Sequence, residues 1–326
     1  MIQSHISSAN RACALLYSYI KQQPYGIWLL PVNICPDVPL TFGLADIPFQ
    51  FVDIDPQSLC IDLDCCQEII AARPSDYAGI VYVRTYGYLS STTAQFAALK
   101  KAKPGICIID DRCLCVPDSL GTLGCADMVL YSTGHCKPID MGAGGLAFTD
   151  EALILDIDSL HYNGTDEEQQ YKEAYASRKR LQTMPRGWLK IGSFMPPIEY
   201  LEEIAKRKKM RLQQRERLNA IYRENLPNEI QLSDAHQNWR FNILVHPELK
   251  NVILEALFSN GLFASSHYHS ANKLFDSSTF PHSDRLFNQV INLFNDHYYT
   301  EEKAYQTCKI INKAMNGRFT PPILKN

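Results

Sequence analysis

Met128-Val129-Leu130-Tyr131-Ser132-Thr133-Gly134-His135-Cys136-Lys137-Pro138-Ile139-Asp140-Met141-Gly142-Ala143-Gly144-Gly145 is the stretch on which the fold turns. It opens on a run of apolar residues, the pattern of a strand buried on both faces of an α/β sheet. A hydroxyl follows at Ser132, then a lone lysine five positions later among small and apolar neighbours, then glycines that begin a new strand. An amine held there can be desolvated enough to form a Schiff base, and nearby glycines let the backbone approach a flat ring. His135, on the same turn, reads as a polar packing residue.

Working outward, Ile27-Trp28-Leu29-Leu30, Phe49-Gln50-Phe51-Val52, Ile80-Val81-Tyr82-Val83 and Ile106-Cys107-Ile108-Ile109 repeat the short β-rich run, separated by helix-length segments. The fold class is therefore α/β, with residues 1–195 expected as a large domain around a mostly parallel sheet. Ala12, Leu15, Leu16, Tyr19 and Ile20 recur at helical spacing behind Ser8 and Asn10, both good N-cap types, so a helix is expected to open there. Residues 151–195 are irregular and polar, including Asn163-Gly164 and Met184-Pro185-Arg186-Gly187, as in a connection between two bodies. Residues 196–326 read as a smaller α+β domain: helices over 199–225, 247–260 and 300–315, a strand near Trp239 to Val245, and a short strand over 262–268 that puts His267 and His269 on one face.

Several side chains stand where chemistry is expected. Asp110 and Asp111 close a buried strand at its C-terminal end, the edge at which α/β sheets bind ligands. A carboxylate there can keep a pyridine nitrogen protonated and make the ring an electron sink, a role assigned to Asp111. Ser8, Asn10 and Arg11 at a helix start could bind a phosphate, with Ser132 adding a hydroxyl. Arg240, beside Trp239, could clamp a substrate carboxylate or close a structural ion pair. One of the histidines near His267-Tyr268 could line a substrate pocket.

Bulk composition narrows the classes. The 326 residues are 46% hydrophobic, enough for a large core, and 32 basic against 35 acidic side chains leave a net charge of −3. The basic run from Lys206 to Arg217 is interleaved with Glu202, Glu203 and Glu216, so it reads as a solvated helix face, and no nucleic-acid partner is expected. Eleven cysteines lack paired metal-ligand spacing, so reduced thiols, no metal and a cytoplasmic location are expected. No leader pattern and no apolar run of membrane-spanning length is present, so no membrane partner is expected.

Taken in order, these features resemble the DegT/DnrJ/EryC1/StrS family of sugar aminotransferases, fold-type I pyridoxal-phosphate enzymes. The resemblance rests on Ser8-Ala9-Asn10-Arg11-Ala12, Leu29-Leu30-Pro31-Val32-Asn33-Ile34-Cys35-Pro36, Phe51-Val52-Asp53-Ile54-Asp55, Tyr86-Gly87, Ile109-Asp110-Asp111, the Ser132-to-Lys137 spacing with Gly144-Gly145 behind it, His267-Tyr268 and Val290-Ile291-Asn292-Leu293. It implies that Lys137 carries pyridoxal 5'-phosphate as a Schiff base and moves protons, that Asp111 pairs with the pyridine nitrogen, and that Ser132, Asn10 and Arg11 lie near the phosphate. It further implies a homodimer that takes its amino group from glutamate and aminates a nucleotide-linked keto-sugar. The chain departs from the family pattern in Arg112-Cys113-Leu114, where Ala-Ala-Gln or Ala-Ala-His is usual, and in Asn33 and Cys35, where an aromatic usually covers the ring.

Two other classes remain at this stage. A dinucleotide-binding oxidoreductase fits the α/β half, but no Gly-x-Gly-x-x-Gly follows the first strand. A catalytically altered relative that binds cofactor or sugar nucleotide as a scaffold or regulator fits the departures.

Overall fold

The computed structural model describes residues 5–118, 121–155, 194–275 and 278–318. The order of elements is β1 (His5–Ala9), α1 (Ala12–Lys21), β2 (Ile27–Pro31), α2 (Asp37–Leu44), β3 (Phe49–Val52), α3 (Leu63–Ala72), β4 (Tyr77–Val83), α4 (Thr93–Ala102), β5 (Cys107–Asp111), β6 (Met128–Ser132) and β7 (Gly145–Thr149). There follow α5 (Pro197–Asn225), β8 (Phe241–Leu244), α6 (Pro247–Ser259), β9 (Ala264–Ser265), α7 (Asn272–Phe275), α8 (Pro281–Gln289), β10 (Val290–Leu293) and α9 (Glu301–Lys313).

The first seven strands form one sheet in the order β1-β7-β6-β5-β4-β2-β3. β3, β2, β4, β5 and β6 run parallel, and β7 turns back antiparallel on β6 with β1 antiparallel at its outer edge. This is the expected α/β class with a mostly parallel sheet. Side chains alternate between two cores: Trp28, Leu30, Val81, Ile109 and Leu130 face α1 and α2, whereas Leu29, Ile80, Ile108, Val129 and Tyr131 face α3 and α4. Burial on both faces is why the strands read as continuous apolar runs.

The second sheet, β8-β10-β9, is antiparallel and packs with α5, α6 and α9 in a separate core. α5 joins the two bodies. Tyr200 and Ile204 in its first turns belong to the core beneath α3 and α4, while Leu218, Ile221 and Tyr222 in its last turns belong to the core of the small sheet.

Two expectations are corrected. The first helix does not open at Ser8 and Asn10: residues 5–9 are strand β1, and α1 starts at Ala12 behind an extended Arg11 that makes no side-chain cap. The reason is the open edge of β7, whose backbone groups need partners and take them from His5–Ala9. The strand expected over 262–268 shrinks to Ala264–Ser265, so His267 and His269 lie beyond it and share no face; His267 is buried and His269 rests on the Phe287 ring at 3.7 Å. The expected connection, with Asn163-Gly164 and Met184-Pro185-Arg186-Gly187, falls mostly outside the described residues.

Gly145 sets how closely α1 can lie on the sheet, because a Cβ there would stand 2.5 Å from both the N and the Cα of Ala12. Gly145→Ala is therefore expected to lower stability by about 1–3 kcal/mol through overpacking, read as a fall in the urea midpoint without a change of slope.

Candidate active site

A cavity of about 560 Å³ opens at the C-terminal ends of the parallel strands, between the start of α1 and the turn joining β6 to β7. That is the size and the place in which α/β folds hold small ligands. Period-two alternation on β5 decides which acid reaches it. Asp111 follows Ile109 onto the α1 face and lines the cavity, while Asp110 follows Ile108 onto the opposite face. There Asp110 is matched by Arg84 at 2.8 Å and Arg112 at 2.7 Å. Asp111 accepts a bond from Cys113 N at 2.9 Å and has no arginine partner among the described residues.

The turn carrying Lys137 is closed by its own backbone. Thr133 N donates to Gly144 O at 3.0 Å, Met141 N to Thr133 O at 2.8 Å, and Gly144 N to Asn10 O at 2.7 Å. Gly144 has φ +113, a conformation that favours glycine, and an added Cβ would run into Tyr200 and Thr133. The last of these hydrogen bonds ties the entrance of α1 to the lysine turn, so Asn10, Arg11, Ser132 and Lys137 share one wall. Arg11 forms an ion pair with Asp37 at 3.1 Å, and both side chains line the cavity.

Burial works to depress the Lys137 ammonium, but its interactions with the Cys113 and Cys35 side chains, which count once those thiols ionise at high pH, and with Asp111 outweigh it and raise its pKa. Burial likewise pushes the Asp111 carboxyl up, against the pull of Cys113 and Lys137. The thiols of Cys13 and Cys113 are driven well above their usual range by burial, and that of Cys35 up to about 12. All three are protonated at neutral pH, which leaves Asp111 as the anion facing the amine.

Of the residues expected at a site, the structure brings Lys137, Asp111, Ser132, Asn10, Arg11, Cys35 and Tyr268 to this cavity. Tyr268 stands half-exposed at its mouth. Four others lie elsewhere. Ser8 sits on β1 and donates to Met195 O at 2.8 Å. Asn33 is buried and donates to Leu59 O at 3.0 Å, supporting a turn and not reaching the cavity. His267 Nε2 donates to Asn33 O at 2.6 Å, its other ring nitrogen buried without a partner among the described residues. Arg240 closes no ion pair among the described residues; its guanidinium lies over the Phe294 ring at 3.4 Å and the Trp239 ring at 4.8 Å. Sequence reasoning missed Asp37, Cys13 and Cys113. No local pattern marks them, because only the tertiary fold brings them together. His135, read as a packing residue, is exposed on the cavity wall.

The residues present fit a phosphorylated pyridine aldehyde. An amine for its carbonyl carbon, a buried carboxylate for its ring nitrogen and a helix start with adjacent hydroxyl for its phosphate all open into one cavity of suitable volume. The model of the DegT/DnrJ/EryC1/StrS aminotransferase family matches residues 46–312. The chain belongs to that family.

Solved structures of the same fold include a DegT/DnrJ/EryC1/StrS aminotransferase from Brucella abortus, 20% identical with a TM-score of 0.67 over 94% of this chain and 85% of that one. PseC of Helicobacter pylori, an aminotransferase of pseudoaminic acid biosynthesis, is 17% identical with a TM-score of 0.70 over 96% and 87%. DesI, solved in the presence of its TDP-sugar product, is 19% identical with a TM-score of 0.70 over 96% and 81%. No curated protein sequence matches the chain. Family membership makes the chain an aminotransferase of the pyridoxal-phosphate-dependent kind and removes the oxidoreductase reading. Among the described residues no helix is long and apolar enough to cross a membrane, and no cluster of metal-ligating side chains occurs.

Burial depresses the His267 imidazole to about 4. Above pH 6.5 the ring is neutral in both folded and unfolded chains; between 6.5 and 4 only the unfolded chain takes up the proton, so stability falls as pH drops through that window. The expected loss is about 3 kcal/mol, and His267→Gln should flatten the descent in denaturant midpoints measured from pH 7 to pH 4.

Proposed function

We propose that this chain transfers the amino group of glutamate, through pyridoxal phosphate, to a keto-sugar carried on a nucleotide. The observation that carries the reading is the meeting of Lys137 and Asp111 in one cavity, with the only other described carboxylate on that wall, Asp37, already paired with Arg11. The TDP-sugar product of DesI supports a nucleotide-linked acceptor.

Lys137 would hold the cofactor covalently through Nζ and, when released from it, its free amine would carry a proton between the two carbons that flank the amino nitrogen. When bound, pyridoxal phosphate supplies an electron-withdrawing ring that lets the bond next to the amino nitrogen break. Asp111 keeps the ring nitrogen protonated, which a carboxylate freed from arginine partners can do and Asp110 cannot. Ser132, Asn10 and the first turn of α1 receive the phosphate, with the Arg11–Asp37 pair fixing that helix start. Cys35 contributes to the wall where an aromatic is usual, and Tyr268 at the mouth meets the incoming substrate. Ser8, Asn33 and His267 support these residues from behind, without touching ligand.

The proposal includes a homodimer, a cytoplasmic location, which suits eleven thiols of which none among the described residues is in a disulfide, and a functional division into a cofactor-binding body over 1–195 and a smaller body over 196–326. Arg112 is a departure from the family pattern that leaves the cavity open, since Asp110 and Tyr131 hold it on the opposite face.

Purified protein given pyridoxal phosphate should take on the visible absorbance of the lysine-bound cofactor and lose it on addition of glutamate. A protein that binds cofactor but never responds to any amino donor is instead a scaffold. Lys137→Ala should abolish both the band and turnover, and Asp111→Asn should lower kcat by about a hundredfold or more while leaving the band in place.

A further inference from the structure

Lys137 stands between two carbonyls that are both held by the second body. Trp239 Nε1 donates to Cys136 O at 2.7 Å, and Arg215 Nη2 donates to Pro138 O at 3.2 Å. Arg215 also donates to Trp239 O and, at 2.6 Å, to Asn295 Oδ1, so the two donors are fastened to each other and to the end of the small sheet. From within the turn, Asp140 accepts from Cys136 N at 2.9 Å and from Gly142 N at 2.8 Å.

Backbone conformation shows that these contacts constrain the turn. Cys136 has φ +62 and Tyr86 has φ +55, a region that is unfavourable for a side-chain-bearing residue and persists only where the surroundings impose it. Both residues meet Trp239. Its indole takes the Cys136 carbonyl, while its ring lies parallel to that of Tyr86, with centroids 6.2 Å apart and planes at 5°, and its backbone N–H donates to Tyr86 O at 3.2 Å. Two left-handed residues from distant parts of the chain are thus locked on one side chain.

We propose that Trp239, with Arg215, is a positioning residue that aims the Lys137 amine into the cavity, so that the direction of the reacting group is set by the docking of the second body against the lysine turn. The inference rests on Lys137 as the reacting amine. Without the indole donor, the Cys136 carbonyl loses its partner, the turn relaxes toward ordinary backbone angles, and the side chain swings toward water.

The test uses the full chain freed of cofactor, so that it reads the lysine itself. Wild type, Trp239→Phe, Asp140→Asn and Trp28→Phe are labelled with acetic anhydride from pH 7 to pH 11, and modification at Lys137 is followed by mass spectrometry. Trp239→Phe keeps a ring against Tyr86 but has no N–H. Asp140→Asn weakens the same turn from its other side without touching a core. Trp28 is buried with no partner for its indole nitrogen among the described residues, so Trp28→Phe controls for general loosening. Both turn variants should label Lys137 about three- to tenfold faster than wild type, the population shift that one lost hydrogen bond allows, with the pH midpoint falling from its raised value toward that of an exposed lysine. Trp28→Phe should match wild type. Wild-type rates and midpoints in both turn variants, with folding verified by circular dichroism, would overturn the proposal, as would an equal acceleration in Trp28→Phe. If Trp239→Phe fails to fold, Asp140→Asn alone decides. Failure of the glutamate response in the holoprotein would count against the proposed function and leave this result standing.

Discussion

Everything at the candidate site depends on the return of the chain from β6 to β7. That turn must reverse direction, close its backbone polar groups and still leave one long side chain free, and it does so by hydrogen bonds from Thr133, Met141 and Gly144. Because Gly144 donates to Asn10, the same turn fixes the entrance of α1, and because Gly145 has no Cβ, the helix can settle onto the sheet there. The cavity is the space left when a helix start, two strand ends and a glycine-rich turn are drawn together at one edge.

Electrostatics then assign the two neighbouring acids of β5 to different tasks. Asp110 faces a region with two arginines and is a structural ion-pair centre, where removal of one partner would leave buried charge uncompensated. Asp111, one residue on, faces a cavity whose thiols burial keeps neutral, and its principal charged neighbour is the Lys137 ammonium. On the proposed function, such a site offers an acid to a ligand cation and an amine to a carbonyl. The three thiols add soft, uncharged wall without competing for either.

The second body contributes constraint more than chemistry. Its arginine and tryptophan hold backbone on either side of Lys137, and α5, anchored in both cores, keeps them in place. Buried His267 and the Arg240 guanidinium, packed between Trp239 and Phe294, belong to the same supporting layer.

The sequence by itself determined the α/β class, the five parallel strands and β7, and the long helix at Pro197–Asn225, because these rest on local periodicity, and it singled out Lys137, Asp111 and Ser132 as candidates, because a buried strand end rarely tolerates such residue types without use. It could not reveal β1, since His5–Ala9 has no strand pattern of its own and becomes a strand only against the free edge of β7. Nor could it separate Asn10 and Arg11, which reach the cavity, from Ser8, Asn33, His267 and Arg240, which do not. Adjacency in sequence says nothing about which way a side chain faces once the elements pack. The pairing of Arg11 with Asp37, the gathering of Cys13, Cys35 and Cys113, and the grip of Trp239 on Cys136 were decided only by tertiary structure, because each joins residues that no local rule connects.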